Sequence, residues 1–492
     1  MYRLIFSVLI FVAGLNCFSQ NHEITISMNT RNDTVLLTHV FASDERLRLD
    51  TAIVLIDGKG VFAGNRVLPK GLYWIVNNNS KLFQILITDN QHFGIEADTT
   101  DFVHGVRFKS SRDNDIFYEF IRDDIQRQAK QHQLREQFQN AADDAERMLI
   151  HEQFQTIGFE RNAFIQRLVS QNEKLYVSKF LRALLPLEIP EPPRDADGQV
   201  IDPDYVYRWY RANYFSNFDI FDPDMLRTPM YERQLKEYLT WFARNHPPDT
   251  VCVELDRMLH KVVDHRELFR YMLASIYNHF VSDENLAARD NYFVHLVDNW
   301  YSLHADWATN IEDMQSEADK VRHSLVGRIA PPLDQLLILE TQHFRAAALD
   351  TAIKNDVHAG YIVADFRTYI ESKYLILIFW DVNCGGCRET MQSLWALYNA
   401  THDKGLKVLT LQTLQTIPGK GRWIDFINDN DMFGSGWYNG WVIYDQRWRD
   451  LYNTSVVPIM YVLNDKREII FKGRNLDLNW LQSFIEATAD DI

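Results

Sequence analysis

Seven consecutive large apolar residues, Tyr374-Leu-Ile-Leu-Ile-Phe379-Trp380, lead through Asp381-Val-Asn into Cys384-Gly385-Gly386-Cys387-Arg388. An apolar run this short fits a buried strand, and the residues after it carry a helical pattern. Two thiols at this spacing, where a buried strand runs into a helix, lie within reach of each other and close to the helix N-terminus. The free amides and dipole at that end stabilise a thiolate. A thiolate attacks disulfides, and a neighbouring thiol lets the mixed disulfide resolve within one chain. Redox chemistry is therefore the leading expectation, with no metal or organic cofactor required.

At 492 residues the chain exceeds one ordinary core and is expected to form about three domains. A formal net charge of −16 excludes a general binder of phosphate backbones or anionic membranes, so nucleic acid is not an expected partner. The N-terminus reads Met1-Tyr2-Arg3, then an apolar stretch from Leu4 to Leu15, then Asn16-Cys17-Phe18-Ser19-Gln20. This is the pattern of a secretory signal over residues 1–19, cut after Ser19. Lipidation at Cys17 is the alternative, and an uncleaved anchor would also place the remainder outside the cytoplasm. Cleavage leaves Cys252, Cys384 and Cys387, too few for a disulfide scaffold in an exported chain of this size. Cys252 lies in Thr250-Val-Cys-Val-Glu-Leu and reads as a small buried hydrophobe.

Residues 20–112 carry alternating strand patterns punctuated by turns such as Asp57-Gly58, Asn77-Asn-Asn and Asp89-Asn90, which predicts a small antiparallel sandwich or barrel. From Asp113 the apolar spacing becomes helical, with neither Pro nor Gly before Gly158, and predicts an amphipathic helical hairpin. Helical patterns continue to about residue 318, so 113–318 is expected to be all α. Within it, Asp195 and Asp197 resemble the start of a calcium loop, but Gln199 and the missing downstream Glu do not complete it. The aromatics from Tyr205 to Phe221 are read as packing rather than a ligand platform. The remainder, 319–492, alternates strand and helix and closes with a hairpin at Asn464-Asp465 and a last helix holding Trp480, Leu481 and Phe484. That order predicts one α/β sheet covered by helices.

Phe379-Trp380-x-x-x-Cys384-x-x-Cys387-Arg388, the later Val457-Pro458 and the opening Val326-Gly-Arg-Ile-Ala-Pro331 together resemble the thioredoxin-like disulfide oxidoreductases of the bacterial envelope, in the branch related to TlpA and ResA. The resemblance covers about a third of the chain, roughly 325–485. It implies that Cys384 is the exposed attacking thiol, Cys387 the buried resolving thiol and Pro458 a cis-proline facing them. It also implies client contacts at Trp380, Gly385, Gly386 and Val457, the last through a backbone free to pair with an added strand. The implied partners are exported proteins with disulfides and a membrane electron donor, in the periplasm or envelope. The preceding β and helical regions look more loosely like uncharacterised domains that accompany such modules. Three departures stand out: Gln392 where the family has a kinking proline, Ile378 where thioredoxin has a buried acid, and Gly385-Gly386 between the cysteines. Asp381 and Glu389 are the substitute proton acceptors, and the Gly-Gly pair leaves the direction of electron flow open.

Zinc would need two further ligands, and His402 is the only histidine close in sequence, so no metal is expected. A peroxidase of the same fold would need Thr and Pro where Asp381 and Leu377 stand. No serine-hydrolase, phosphate-loop or dinucleotide motif occurs. The alternative of a different class is an envelope binding or scaffold protein whose thioredoxin-like module has little or no turnover.

Overall fold

The computed structural model describes residues 21–30, 33–77, 80–282, 287–333, 336–350, 361–363, 365–441, 447–474 and 477–489. The proposed signal segment, including Cys17 and Ser19, lies outside them. The chain divides into two compact units, residues 1–238 and 239–492. That division falls inside the stretch expected to be all helical, so its helices belong to both units.

The first unit contains two four-stranded sheets. β1 (His22–Met28), β4 (Lys59–Gly64), β7 (His92–Ala97) and β8 (Val106–Lys109) form one, in the order β4-β1-β7-β8. β2 (Thr34–Phe41), β3 (Ser43–Val54), β5 (Gly71–Asn77) and β6 (Ser80–Ile87) form the other, in the order β3-β2-β5-β6. The expected architecture was purely antiparallel, but β1 and β7 pair in parallel, Ile24 opposite Phe93 and Ile26 opposite Ile95. A parallel pair needs a long crossover, and the strands of the second sheet supply it. In β1, Ile24, Ile26 and Met28 are buried while their neighbours face outward, the alternation that a half-buried strand imposes.

Helices Arg112–Asn140 and Asp144–Gln171 form the hairpin that the spacing predicts. Asp143 ends the turn between them, its carboxylate accepting the Glu146 amide at 2.9 Å, which satisfies one of the free N–H groups of the second helix. The aromatic segment is half-buried, its rings packed on one another and on Tyr238: Tyr214 and Phe215 lie 4.9 and 4.7 Å from that ring. The Asp195 loop closes on itself, Asp195 accepting the amides of Asp197 and Gln199, with Gly198 at φ +80°. Its carboxylate is therefore committed to the turn.

The second unit opens with helices Pro248–His260, Arg266–Val281, Arg289–Leu296 and Ile311–Val321. They precede a seven-stranded mixed sheet built from β9 (Leu336–Leu339), β10 (Tyr361–Val363), β11 (Tyr374–Trp380), β12 (Leu406–Gln412), β13 (Trp437–Trp441), β14 (Ile459–Leu463) and β15 (Ile469–Gly473). The order is β10-β9-β13-β12-β11-β14-β15; β11, β12 and β13 run parallel, while β14 is antiparallel to β11. Every residue of β11 is buried. Ile376, Ile378 and Trp380 enter one core with Cys387, Leu394 and Trp423; Leu375, Leu377 and Phe379 enter the other with Trp448, Tyr452 and Tyr461. The apolar run is thus two alternating sets, one for each face. The strand expected over 441–444 begins earlier, at Trp437; residues 442–446 lie outside the described ones.

Gly158 lies inside the helix Asp144–Gln171, and a Cβ there would meet nothing within 4 Å. Gly158→Ala should therefore stabilise the chain by ~0.5–1 kcal/mol through backbone entropy, read from the midpoint of chemical denaturation.

Candidate active site

The carboxyl end of β11 is where the dithiol is built. After Trp380, the Asp381 carboxylate accepts the Asn383 amide at 2.8 Å and its carbonyl accepts the Cys384 amide at 3.0 Å, a tight turn of the kind Asp favours. Cys384 then stands at the N-cap of helix Gly385–Thr401, and its Sγ accepts the Cys387 amide at 3.2 Å. Sulfur here occupies the place usually taken by Ser, Thr or Asp oxygen, satisfying a free amide of the first turn. Arg388 donates to the Val382 carbonyl at 2.8 Å and Arg422, from helix Ile417–Asp429, donates to Asn383 Oδ1 at 2.7 Å. Two guanidiniums therefore pin the turn that carries the cysteine.

The two thiols differ in surroundings. Cys384 is partly exposed, whereas Cys387 is fully buried, and both are free thiols. Burial pushes the Cys387 thiol up to about 12; a backbone hydrogen bond at Asp381 opposes this, while the hydrogen bond and charge of Cys384 and the charge of Asp381 add to it. Of the two expected proton acceptors, Asp381 lies close enough to act on this thiol electrostatically. Cys252 is also buried and pushed up to about 12 by burial, in keeping with its reading as a buried hydrophobe.

The Val457–Pro458 peptide is cis. Antiparallel pairing sets Phe379 opposite Ile459, so Pro458 lies level with Trp380, at the end of the sheet from which Cys384 emerges. Val457 is partly buried and packs against both cores. Gly385 and Gly386 are exposed; a Cβ on Gly386 would meet nothing within 4 Å, and one on Gly385 only the Arg388 guanidinium at 4.0 Å. Neither glycine is required by lack of room. Trp380 departs from expectation: it is fully buried against Phe426, so it supports the site from beneath and offers a client no surface. β11 is covered on both faces, and a ring in its last position has no route to solvent. Gln392 leaves the helix continuous for 17 residues, as the absence of proline predicts, and bonds Asn430 at 3.0 Å. Ile378 is a core residue.

His402 follows the far end of that helix, roughly 25 Å from the cysteines at 1.5 Å per residue, too far to share a metal with them. No cluster of three or more metal-ligating side chains occurs among the described residues.

No family model matches this chain, and no curated protein does. Solved structures do. A thioredoxin-like protein from Bacteroides caccae is 14% identical over 62% of this chain and 99% of its own, with a TM-score of 0.39. A thiol:disulfide interchange protein from Bacteroides sp. is 17% identical over 34% of this chain and 95% of its own, with a TM-score of 0.25. A putative thiol:disulfide interchange protein DsbE from Chlorobium tepidum is 16% identical over 34% of this chain and 99% of its own, also at 0.25.

The lock formed by Arg422 and Asn383 was not foreseen, because Arg422 lies 39 positions away and only the packing of its helix brings it to the turn. Selective alkylation checks the asymmetry of the thiols. At pH 8, iodoacetamide should label Cys384 in the folded, reduced chain, while Cys387 and Cys252, buried and protonated below about pH 12, should react at least tenfold more slowly until the chain is unfolded.

Proposed function

We propose that residues from about 325 onward form a thioredoxin-like module and that the chain is a thiol-disulfide oxidoreductase of the periplasm or envelope, reducing or isomerising disulfides in exported proteins. The observation that carries this reading is the pairing of an accessible Cys384 Sγ, held as the helix N-cap 3.2 Å from the Cys387 amide, with a buried Cys387 thiol one turn away. The cis Val457–Pro458 at the same end of the sheet supports it.

In this mechanism the Cys384 thiolate attacks one sulfur of a client disulfide, forming a Cys384–client bond and releasing the other client sulfur as a thiolate. Cys387 then loses its proton and attacks Cys384 Sγ, releasing the second client thiol. The client gains two electrons and the pair becomes a disulfide, which an external dithiol donor of the envelope reduces again. Because burial holds the Cys387 proton, the second step needs a base, and the Asp381 carboxylate fills that place directly or through water. The exposed Gly385 and Gly386 let a client backbone approach the sulfur closely, and the Val457 backbone pairs with it as an added strand. Among the described residues no helix is long and apolar enough to cross a membrane.

Cys384→Ser should abolish reduction of a peptide disulfide. Cys387→Ser should retain the first attack and accumulate a mixed disulfide with the client, visible as a mass adduct that dithiothreitol removes. Full turnover in either variant contradicts the reading. Asp381→Asn should slow release of that adduct by about tenfold or more, while leaving its formation within twofold, as expected for loss of general-base help.

A further inference from the structure

A polar cleft of about 870 Å³ opens within the second unit, between helices 289–296 and 311–321 on one side and the β14–β15 end of the sheet on the other. Its floor is an ion pair taken out of water. Lys472 of β15 is 7% exposed; its Nζ lies 2.5 Å from Asp290 Oδ2 and 3.2 Å from Ser324 Oγ. Asp290 also accepts from Arg289 at 3.0 Å. Next to it, Asn291 holds Val326 by both its backbone groups, at 2.9 and 3.1 Å. Removing one partner of such a pair leaves a buried uncompensated charge, so these bonds fix the helices against the sheet. The cleft is therefore a built feature of the redox unit.

Its position links it to the proposed site. The segment Asn453-Thr454-Ser455 and Ile459 line the cleft, and Val457–Pro458 lies between them. Asn453 adopts φ +42°, a left-handed conformation that Asn tolerates, and accepts the Ser455 hydroxyl at 3.2 Å, which shapes that rim. Met460 pairs with Gly473 and Phe379 with Ile459, so the cleft opens at the same end of the sheet as Cys384. From β11 across β14 to β15 is about 10 Å at the spacing of paired strands, which three or four extended residues cover at roughly 3.3 Å each.

The charges on the two walls differ. The sheet wall carries Arg449, Lys472 and Arg474 against Asp450. Among the described residues Arg449 leans on the Trp448 ring at 4.4 Å and donates only to neutral Gln415 at 3.3 Å, and Arg474 makes no hydrogen bond or ion pair. The helix wall carries Asp290, Asp313 and Glu317 against Arg289 and Lys320. One wall is net positive and the other net negative. An extended polypeptide turns alternate side chains to opposite sides, so a strand of alternating acidic and basic residues would meet a complementary wall on each. A compact anion such as phosphate would meet only one.

We propose that this cleft is a client subsite: it holds an extended polypeptide segment of alternating charge that runs on from the disulfide bound at Cys384 and Val457. The proposal rests on the redox reading above and adds to it the part of the client that sets selectivity.

The test uses the full chain and peptide disulfides carrying either a Glu-Lys-Glu-Lys arm or a Ser-Gly-Ser-Gly arm beside the cysteine, with bis(2-hydroxyethyl) disulfide as a substrate too small to reach the cleft. The charged arm should lower KM about tenfold relative to the neutral arm with kcat unchanged. Arg449→Glu with Arg474→Glu, both at exposed positions, should cut that advantage to twofold or less and leave bis(2-hydroxyethyl) disulfide unaffected; Arg449→Lys with Arg474→Lys should retain it. Equal KM for both arms, or an advantage that survives the charge reversal, overturns the proposal. Binding of a Ser-for-Cys version of the charged peptide, followed by fluorescence anisotropy, separates the two readings. Arm-dependent binding without any disulfide turnover sinks the redox reading and leaves the cleft, whereas turnover without arm-dependent binding sinks the cleft alone.

Discussion

Burial of β11 on both faces is the constraint on which the second unit depends. Its seven side chains divide between two cores, and each fully buried aliphatic or aromatic side chain contributes on the order of 1.5–3 kcal/mol. Such a strand has only its ends free. At the carboxyl end, the Asp381 turn and the helix that follows take up the backbone groups that leave the sheet, and that is where a polar, reactive group can stand. The dithiol is placed there because every earlier position of the strand belongs to a core.

The helix start then makes two similar thiols unequal. Cys384, at the cap, receives a backbone N–H and remains partly exposed; Cys387, one turn on, points into the core beside Trp423 and Met391 and keeps its proton. The proposed mechanism needs that difference, since the attacking thiol must be reachable by a client and the resolving thiol must act only afterwards. Arg388 and Arg422 hold the turn without entering the core, and the fully buried Trp380 fixes the strand end beneath it. The same economy holds on the other face, where one buried lysine ties the preceding helices to the last strand.

Much of this was legible in the sequence because it is local. The apolar run, the two cysteines after it, the proline-free helix and the turn at Asn464 are each contained in fewer than twenty residues, and the structure has a strand, a helix N-terminus, a continuous helix and a hairpin there. The Val457–Pro458 assignment came from resemblance, since composition does not reveal a cis bond. What the sequence hid depends on long-range pairing. The parallel β1–β7 pair and the Asp290–Lys472 bond join residues 69 and 182 positions apart in sequence, and no periodicity marks them. The strand β9, a run of only four apolar residues, is too short to separate from a helical turn by pattern. The burial of Trp380 follows from sheet order, which places a strand on each side of β11 and a core on each face.

The most direct measurement is the reduction potential of the Cys384 and Cys387 pair in the full chain, followed by alkylation mass shift across a series of thiol redox buffers. One reversible two-electron transition confined to these two residues is expected, with Cys252 labelled to the same extent throughout. A midpoint near ~−270 mV or below would fit a reductant and one near ~−120 mV an oxidant. A pair that stays reduced, or stays oxidised, across the whole series would contradict the central claim and leave the module a scaffold.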